Sequence, residues 1–176
     1  MNLRRKSLFR DAFRFLDGWL SMRVYLVQHG EAKREEEDPA RPLTDNGKRE
    51  VEKVARFLSK IGVKIEKIFH SGKLRAAQTA EILKNYLNPA GESAKAEALE
   101  PLADPKVWFE KLRGIDEDVM LVGHLPHLGK LASLLLTERE DFEIVRFRYG
   151  CVVCLERAEK DSWSILWIIR PDMLLE

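Results

Sequence analysis

Three apolar runs, Val24–Val27, Ile65–Phe69 and Val119–Val122, each stop at a polar cluster that contains histidine. The clusters are Gln28-His29-Gly30-Glu31, His70-Ser71-Gly72 and Gly123-His124-Leu125-Pro126-His127. Short apolar runs of this kind read as buried strands. Between them the apolar spacing turns helical. Thr44 or Asp45 caps a helix to about Lys60, with Val51, Val54, Ala55, Leu58 and Ile61 on one side and Gly62 at its C-terminal end. A second helix runs from about Leu74 to Tyr86, and Asn88-Pro89-Ala90-Gly91 ends it. Ala94–Leu99 is a candidate short strand. Asp104-Pro105 opens a helix that Gly114 stops, and another follows Pro126 to about Leu136. Cys151–Leu155 and Ser164–Ile169 read as late strands joined by the turn Glu159-Lys160-Asp161.

Alternating strands and helices closed by two strands predict a three-layer α/β/α sandwich with a mixed, mostly parallel central sheet. In such a sheet the C-terminal strand ends converge on one crevice. All four histidines of the chain lie in the three clusters, so the topology brings them to one place.

The length of 176 residues suits one domain with a tail. A formal net charge of +1 gives no global case for nucleic-acid binding. No uncharged apolar run approaches the ~18 residues of a spanning helix. Cys151 and Cys154 are three apart in a predicted strand, so they face opposite sides and do not pair. A reducing cytoplasm is the expected compartment. Residues 1–21 stand apart from the domain at 22–176. They carry five basic residues against two acidic ones, with Phe9, Ala12, Phe13, Leu16, Trp19 and Leu20 at helical spacing. Two readings stay open: a basic amphipathic extension packed on the domain, or a start-site artefact, with translation beginning at Met22. Membrane contact is expected nowhere except through this segment.

The segments Leu26-Val27-Gln28-His29-Gly30-Glu31-Ala32 and Arg41-Pro42-Leu43-Thr44-Asp45-Asn46-Gly47 resemble the first motif of the histidine phosphatase superfamily and the stretch after it. Ser71-Gly72-Lys73-Leu74-Arg75-Ala76-Ala77-Gln78-Thr79-Ala80 resembles its second motif, and Val122-Gly123-His124-Leu125-Pro126-His127-Leu128 its third. With the short chain, this resembles the SixA branch of small phosphohistidine phosphatases. The resemblance implies a phosphoglycerate-mutase-like fold and two-step phosphoryl transfer through a phosphohistidine enzyme intermediate, without cofactor or metal. It makes His29 the nucleophile, and it gives Arg75 and His124 the binding of phosphoryl oxygens. It implies a phosphohistidine-bearing signalling protein, such as a phosphotransfer domain, as partner. A small-molecule phosphomonoesterase is the alternative enzyme.

The residue types suit these roles. A neutral imidazole nitrogen attacks phosphorus without a metal. Arg75 offers a donor fork at a helix start, where anions are favoured. His124, if cationic, adds a donor where transition-state charge collects. Gly30 lets the backbone approach the phosphoryl group. Glu100 is the candidate general acid, since Asp104 reads as an ordinary helix cap. Trp108, Trp163 and Trp167 read as packing residues.

Gln28 departs from the pattern, because the family usually has arginine before the nucleophilic histidine. Glutamine keeps an N–H donor and loses the charge and the fork. That loss costs about 2–4 kcal/mol of transition-state stabilisation, and it opens a third reading, a phosphate-binding interaction module without turnover. Arg41 is the favoured compensating cation, ahead of Lys33 and Arg34. Gln28→Arg is therefore expected to raise turnover, by up to about 10²–10³-fold, in a phosphate-release assay. Equal or lower turnover in the variant counts against this role for position 28.

Overall fold

The computed structural model describes residues 21–158 and 162–175. The predicted amphipathic segment, apart from Ser21, and the turn at 159–161 lie outside the described residues.

Six strands form one sheet: β1 (Met22–Gln28), β2 (Lys67–His70), β3 (Ser93–Lys95), β4 (Val119–Gly123), β5 (Val152–Arg157) and β6 (Trp163–Ile169). Their order is β3-β2-β4-β1-β5-β6. The four from β3 to β1 are parallel, and β5 and β6 are antiparallel to their neighbours. Four described helices connect them: α1 (Asp45–Lys60), α2 (Leu74–Leu87), α3 (Pro105–Arg113) and α4 (His127–Thr137).

The period-two alternation of the strands sorts side chains onto two cores. Tyr25 and Val27 of β1, with Met120 and Val122 of β4, pack under α1 and α2 through Val51, Val54, Leu58, Ala76, Ala80 and Leu83. Val24, Leu26, Val119 and Leu121 point the other way, toward Trp108 and Leu112 of α3 and Leu128, Leu131 and Leu135 of α4. This is the expected three-layer α/β/α sandwich. Cys151 and Cys154 are buried and free, one in each core. Trp108 and Trp163 are buried, Trp108 with its ring 5.3 Å from Phe69.

Local signals place the helix ends. The Thr44 side chain accepts from the Gly47 N–H and caps α1. Asp104 accepts from the Lys106 N–H and caps α3, with Pro105 in its first turn. Strand bounds differ from expectation: β1 begins at Met22 rather than Val24, and β5 spans Val152–Arg157 rather than Cys151–Leu155. β3 covers only Ser93–Lys95 rather than Ala94–Leu99, because its partner β2 ends at His70, whose carbonyl takes the Ala96 N–H at 2.8 Å. Leu99 is fully buried as part of the α3/α4 core and not as a strand residue. β2 begins at Lys67, two residues after the buried Ile65.

Candidate active site

Register brings the predicted clusters to one sheet edge. Val27 pairs with Val122 and Gln28 with Gly123, while His70 also pairs with Val122. β1, β2 and β4 thus end at the same level. Val152 of antiparallel β5 pairs with Val27, so Tyr149, Gly150 and Cys151 arrive at that edge from the opposite direction.

His29 follows β1 directly and is 7% exposed. Its backbone N–H donates to the Gly123 carbonyl at 3.1 Å. Its Nδ1 lies 2.7 Å from the Gly30 carbonyl oxygen. A carbonyl only accepts, so Nδ1 carries the proton and the lone pair sits on Nε2. The Arg75 Nε–H donates to that Nε2 at 3.2 Å. Burial, with help from the charges of Arg75 and Arg41, outweighs the Gly30 hydrogen bond and lowers the His29 pKa to about 4. The ring is neutral at pH 7.

Gly30 owes its identity to packing as well as to the site. A Cβ there would lie 2.7 Å from Val51 Cγ2 and 3.0 Å from the Gly47 carbonyl, so the bare face of Gly30 turns toward α1. Its N–H donates to Thr79 Oγ1 at 3.0 Å, and the Thr79 hydroxyl donates to the Arg75 carbonyl at 2.7 Å. One threonine therefore ties the loop after β1 to the first turn of α2. To the sequence expectation, that Gly30 lets the backbone approach a phosphoryl group, the structure adds this packing against α1.

His124 is 2% exposed, its Nε2 lies 2.6 Å from Ser71 Oγ, and its ring sits 4.8 Å from that of His29. Burial first, then His29, Arg75, Lys73 and His127, lower its pKa to about 3. His124 is therefore neutral at pH 7, and the cationic form considered from sequence needs an anion beside the ring. Arg41 has a left-handed backbone (φ 50°) and donates from Nε to the Lys33 carbonyl at 3.3 Å. Its charge lowers the pKa of both His29 and Arg75, so it adds to the positive field they feel. Gln28 is 7% exposed, and its Oε1 is buried without a hydrogen-bond partner. Glu100 follows Leu99, whose carbonyl oxygen lies 3.4 Å from where a Cβ on Gly123 would stand. Its charge, with that of Asp104, acts on His127, a fully buried ring whose pKa burial lowers to about 4.

Three further residues belong to this constellation: Ser71, Thr79 and Tyr149. Ser71 lies in a cluster already singled out by the sequence. Thr79 is four residues after Arg75 and so shares its helix face. Tyr149, whose ring is 5.5 Å from His29, follows a stretch without periodicity, and no sequence signal marked it. Among the described residues, no group of three or more His, Cys, Asp or Glu side chains is arranged to hold a metal ion.

Comparison with known proteins gives this arrangement its family. Residues 24–102 match the model of the histidine phosphatase superfamily (branch 1). The phosphohistidine phosphatase SixA of Escherichia coli (strain K12) is 32% identical over 119 residues, covering 65% of this chain and 74% of that protein. The chain belongs to the histidine phosphatase superfamily. The structure of the protein histidine phosphatase SixA complexed with tungstate superposes with a TM-score of 0.76 at 27% identity, covering 86% of this chain and 99% of that one. Within the superfamily the chain is a member of the SixA-like branch. The alpha-ribazole phosphatase of Shigella flexneri shares the fold, with a TM-score of 0.71 at 13% identity over 85% of this chain and 97% of that one.

Three buried histidines held neutral make stability depend on pH. Their folded pKa values lie below the ordinary 6.5, so the unfolded chain binds more protons as pH falls. Stability is complete above about 6.5 and declines as pH drops toward 4. The unfolding free energy from urea titrations between pH 6.5 and 5 is expected to fall steadily, by roughly 1–2 kcal/mol per ring. A flat profile across that window contradicts the buried neutral state.

Proposed function

We propose that this protein is a phosphohistidine phosphatase that hydrolyses phosphohistidine on a protein partner through a covalent phosphohistidine at His29. The observation that carries this reading is the His29 ring itself: Nδ1 protonated against the Gly30 carbonyl, Nε2 unprotonated and facing the Arg75 guanidinium. A lone pair beside a fixed cation is what an incoming phosphoryl group requires.

In the first step the Nε2 lone pair attacks phosphorus. The P–Nε2 bond forms as the bond to the substrate nitrogen breaks. The leaving imidazole takes that electron pair; protonated beforehand on its other nitrogen, it departs neutral. In the second step water attacks the phosphorus, the P–Nε2 bond breaks, and the pair returns to His29 as phosphate leaves. Arg75 binds the phosphoryl oxygens, with Arg41 adding charge at the edge where Gln28 lacks it. Ser71 and His124 form a polar pair that phosphoryl oxygens can enter, and their negative charge favours protonation of His124. Gln28 supplies amide contacts, and Gly30 holds the nucleophile's tautomer. The step needs no metal, since neutral imidazole is itself the nucleophile.

A phosphoramidate nitrogen leaves readily once protonated, which relieves the need for a side-chain acid. Glu100 stands as the candidate acid for ester substrates. The short connection between α2 and α3, which carries only β3, leaves the crevice accessible to a histidine on a protein surface. The relative's name as a phosphohistidine phosphatase supports this substrate class. A phosphotransfer domain is the proposed kind of partner, and the two free buried thiols support the cytoplasm as compartment.

The test is phosphate release from a histidine-phosphorylated protein by the wild type and by His29→Ala. Many turnovers in the wild type and none in the variant are expected. Activity that survives in His29→Ala removes the ring from its role. Binding without turnover in two folded proteins supports the interaction module that Gln28 permits. Faster hydrolysis of a small phosphate ester supports the metabolite phosphatase.

A further inference from the structure

Tyr149 has no part in the chemistry above, yet it stands against the nucleophile. Its ring centroid is 5.5 Å from that of His29, with the planes tilted by 36°. His29 is 7% exposed, whereas Tyr149 is 51% exposed. An aromatic ring that touches a buried nucleophile and gives half its surface to solvent stands at the mouth of the site.

The backbone fixes it there. The Gly150 N–H donates to both the Gln28 carbonyl, at 3.1 Å, and the His29 carbonyl, at 3.2 Å. The Cys151 carbonyl accepts from the Gln28 N–H at 3.2 Å. Gly150 turns the chain with φ +71°, a conformation a side chain rarely adopts, and a Cβ there would lie 3.0 Å from Pro171. Gly150 and Cys151 are thus bonded to the backbone that carries the nucleophile, which holds the backbone of the adjacent Tyr149 beside His29. A pre-placed ring costs little conformational entropy when it binds a ligand.

We propose that Tyr149 is a specificity-determining residue, whose exposed ring face receives the flat imidazole leaving group of the phosphohistidine substrate. This rests on the phosphohistidine reading of the site. Attack at Nε2 is in line, so the leaving group departs away from the buried His29 ring toward solvent, and the half-exposed Tyr149 ring borders His29 at that opening. An imidazole offers Tyr149 an aromatic face, and an imidazolium adds a cation–π attraction. Ammonia, the leaving group of phosphoramidate, offers neither. The phenol hydroxyl is not required, because the ring face does the binding.

The experiment compares phosphohistidine with phosphoramidate, which shares the P–N bond and lacks the ring, in wild type, Tyr149→Ala and Tyr149→Phe. Tyr149→Ala is expected to raise KM for phosphohistidine about threefold to tenfold, with kcat within about twofold. Both constants for phosphoramidate should stay within about twofold, and Tyr149→Phe should match the wild type on both. Equal losses on both substrates in Tyr149→Ala assign the ring to structure and overturn the proposal. So does Tyr149→Ala behaving as wild type on both. Wild-type protein that is folded yet hydrolyses neither compound defeats the phosphatase reading itself, and the specificity role falls with it.

Discussion

The hydrogen bond from His29 Nδ1 to the Gly30 carbonyl decides which ring nitrogen faces the site, and much of the surrounding structure holds its two ends in place. The Gly30 N–H is taken by Thr79, so the loop after β1 cannot swing without disturbing the first turns of α2. The bare face of Gly30 lies on Val51 and the Gly47 carbonyl, so α1 packs where a side chain would otherwise project. The His29 backbone is bonded at its N–H to Gly123 and at its carbonyl to Gly150. The proposed nucleophile is therefore bonded to strand-end segments on both sides of β1. Such support keeps a reacting ring in one rotamer and one tautomer before any ligand arrives.

Electrostatics complements this geometry. Arg75, Arg41 and Lys73 act on two buried histidines that burial and these charges keep neutral. Positive charge is concentrated here, and among the described residues no carboxylate forms an ion pair with His29, Arg75 or His124. That charge arrangement is the one an anion-binding site requires. A phosphoryl group entering it meets donors already aimed, and its own charge raises the proton affinity of the nearby rings. Family membership joins this site to a known reaction class, while the choice of leaving group depends on what surrounds the mouth. There the half-exposed Tyr149 is fixed by its neighbours' backbone bonds.

Most of the frame was legible in the sequence because it obeys local rules. The apolar runs of β1 and β4 alternate between two cores, and Thr44 and Asp104 cap the helices their positions suggested. The three histidine clusters converge because parallel strands in register must end together. What escaped was set by tertiary contact. Ala94–Leu99 has the composition of a strand, but only Ser93–Lys95 finds pairing at the sheet edge, and Leu99 is buried as a core residue. Gly30 looked like a clearance for ligand, and its packing against α1 needed coordinates. His124 was read as a candidate cation, and the depth of burial that holds it neutral is not written in its neighbours. Tyr149 lies in a stretch without periodicity, and only the antiparallel return of β5 brings it to His29.

The central claim is that His29 is a neutral ring with its proton on Nδ1. Nitrogen-15 NMR of the free protein with labelled histidine, at pH 7, reads this directly. The account predicts a protonated Nδ1 and an unprotonated Nε2 for His29, unchanged until the pH approaches about 4. A ring protonated on Nε2, or an imidazolium already formed near pH 6.5, would contradict it.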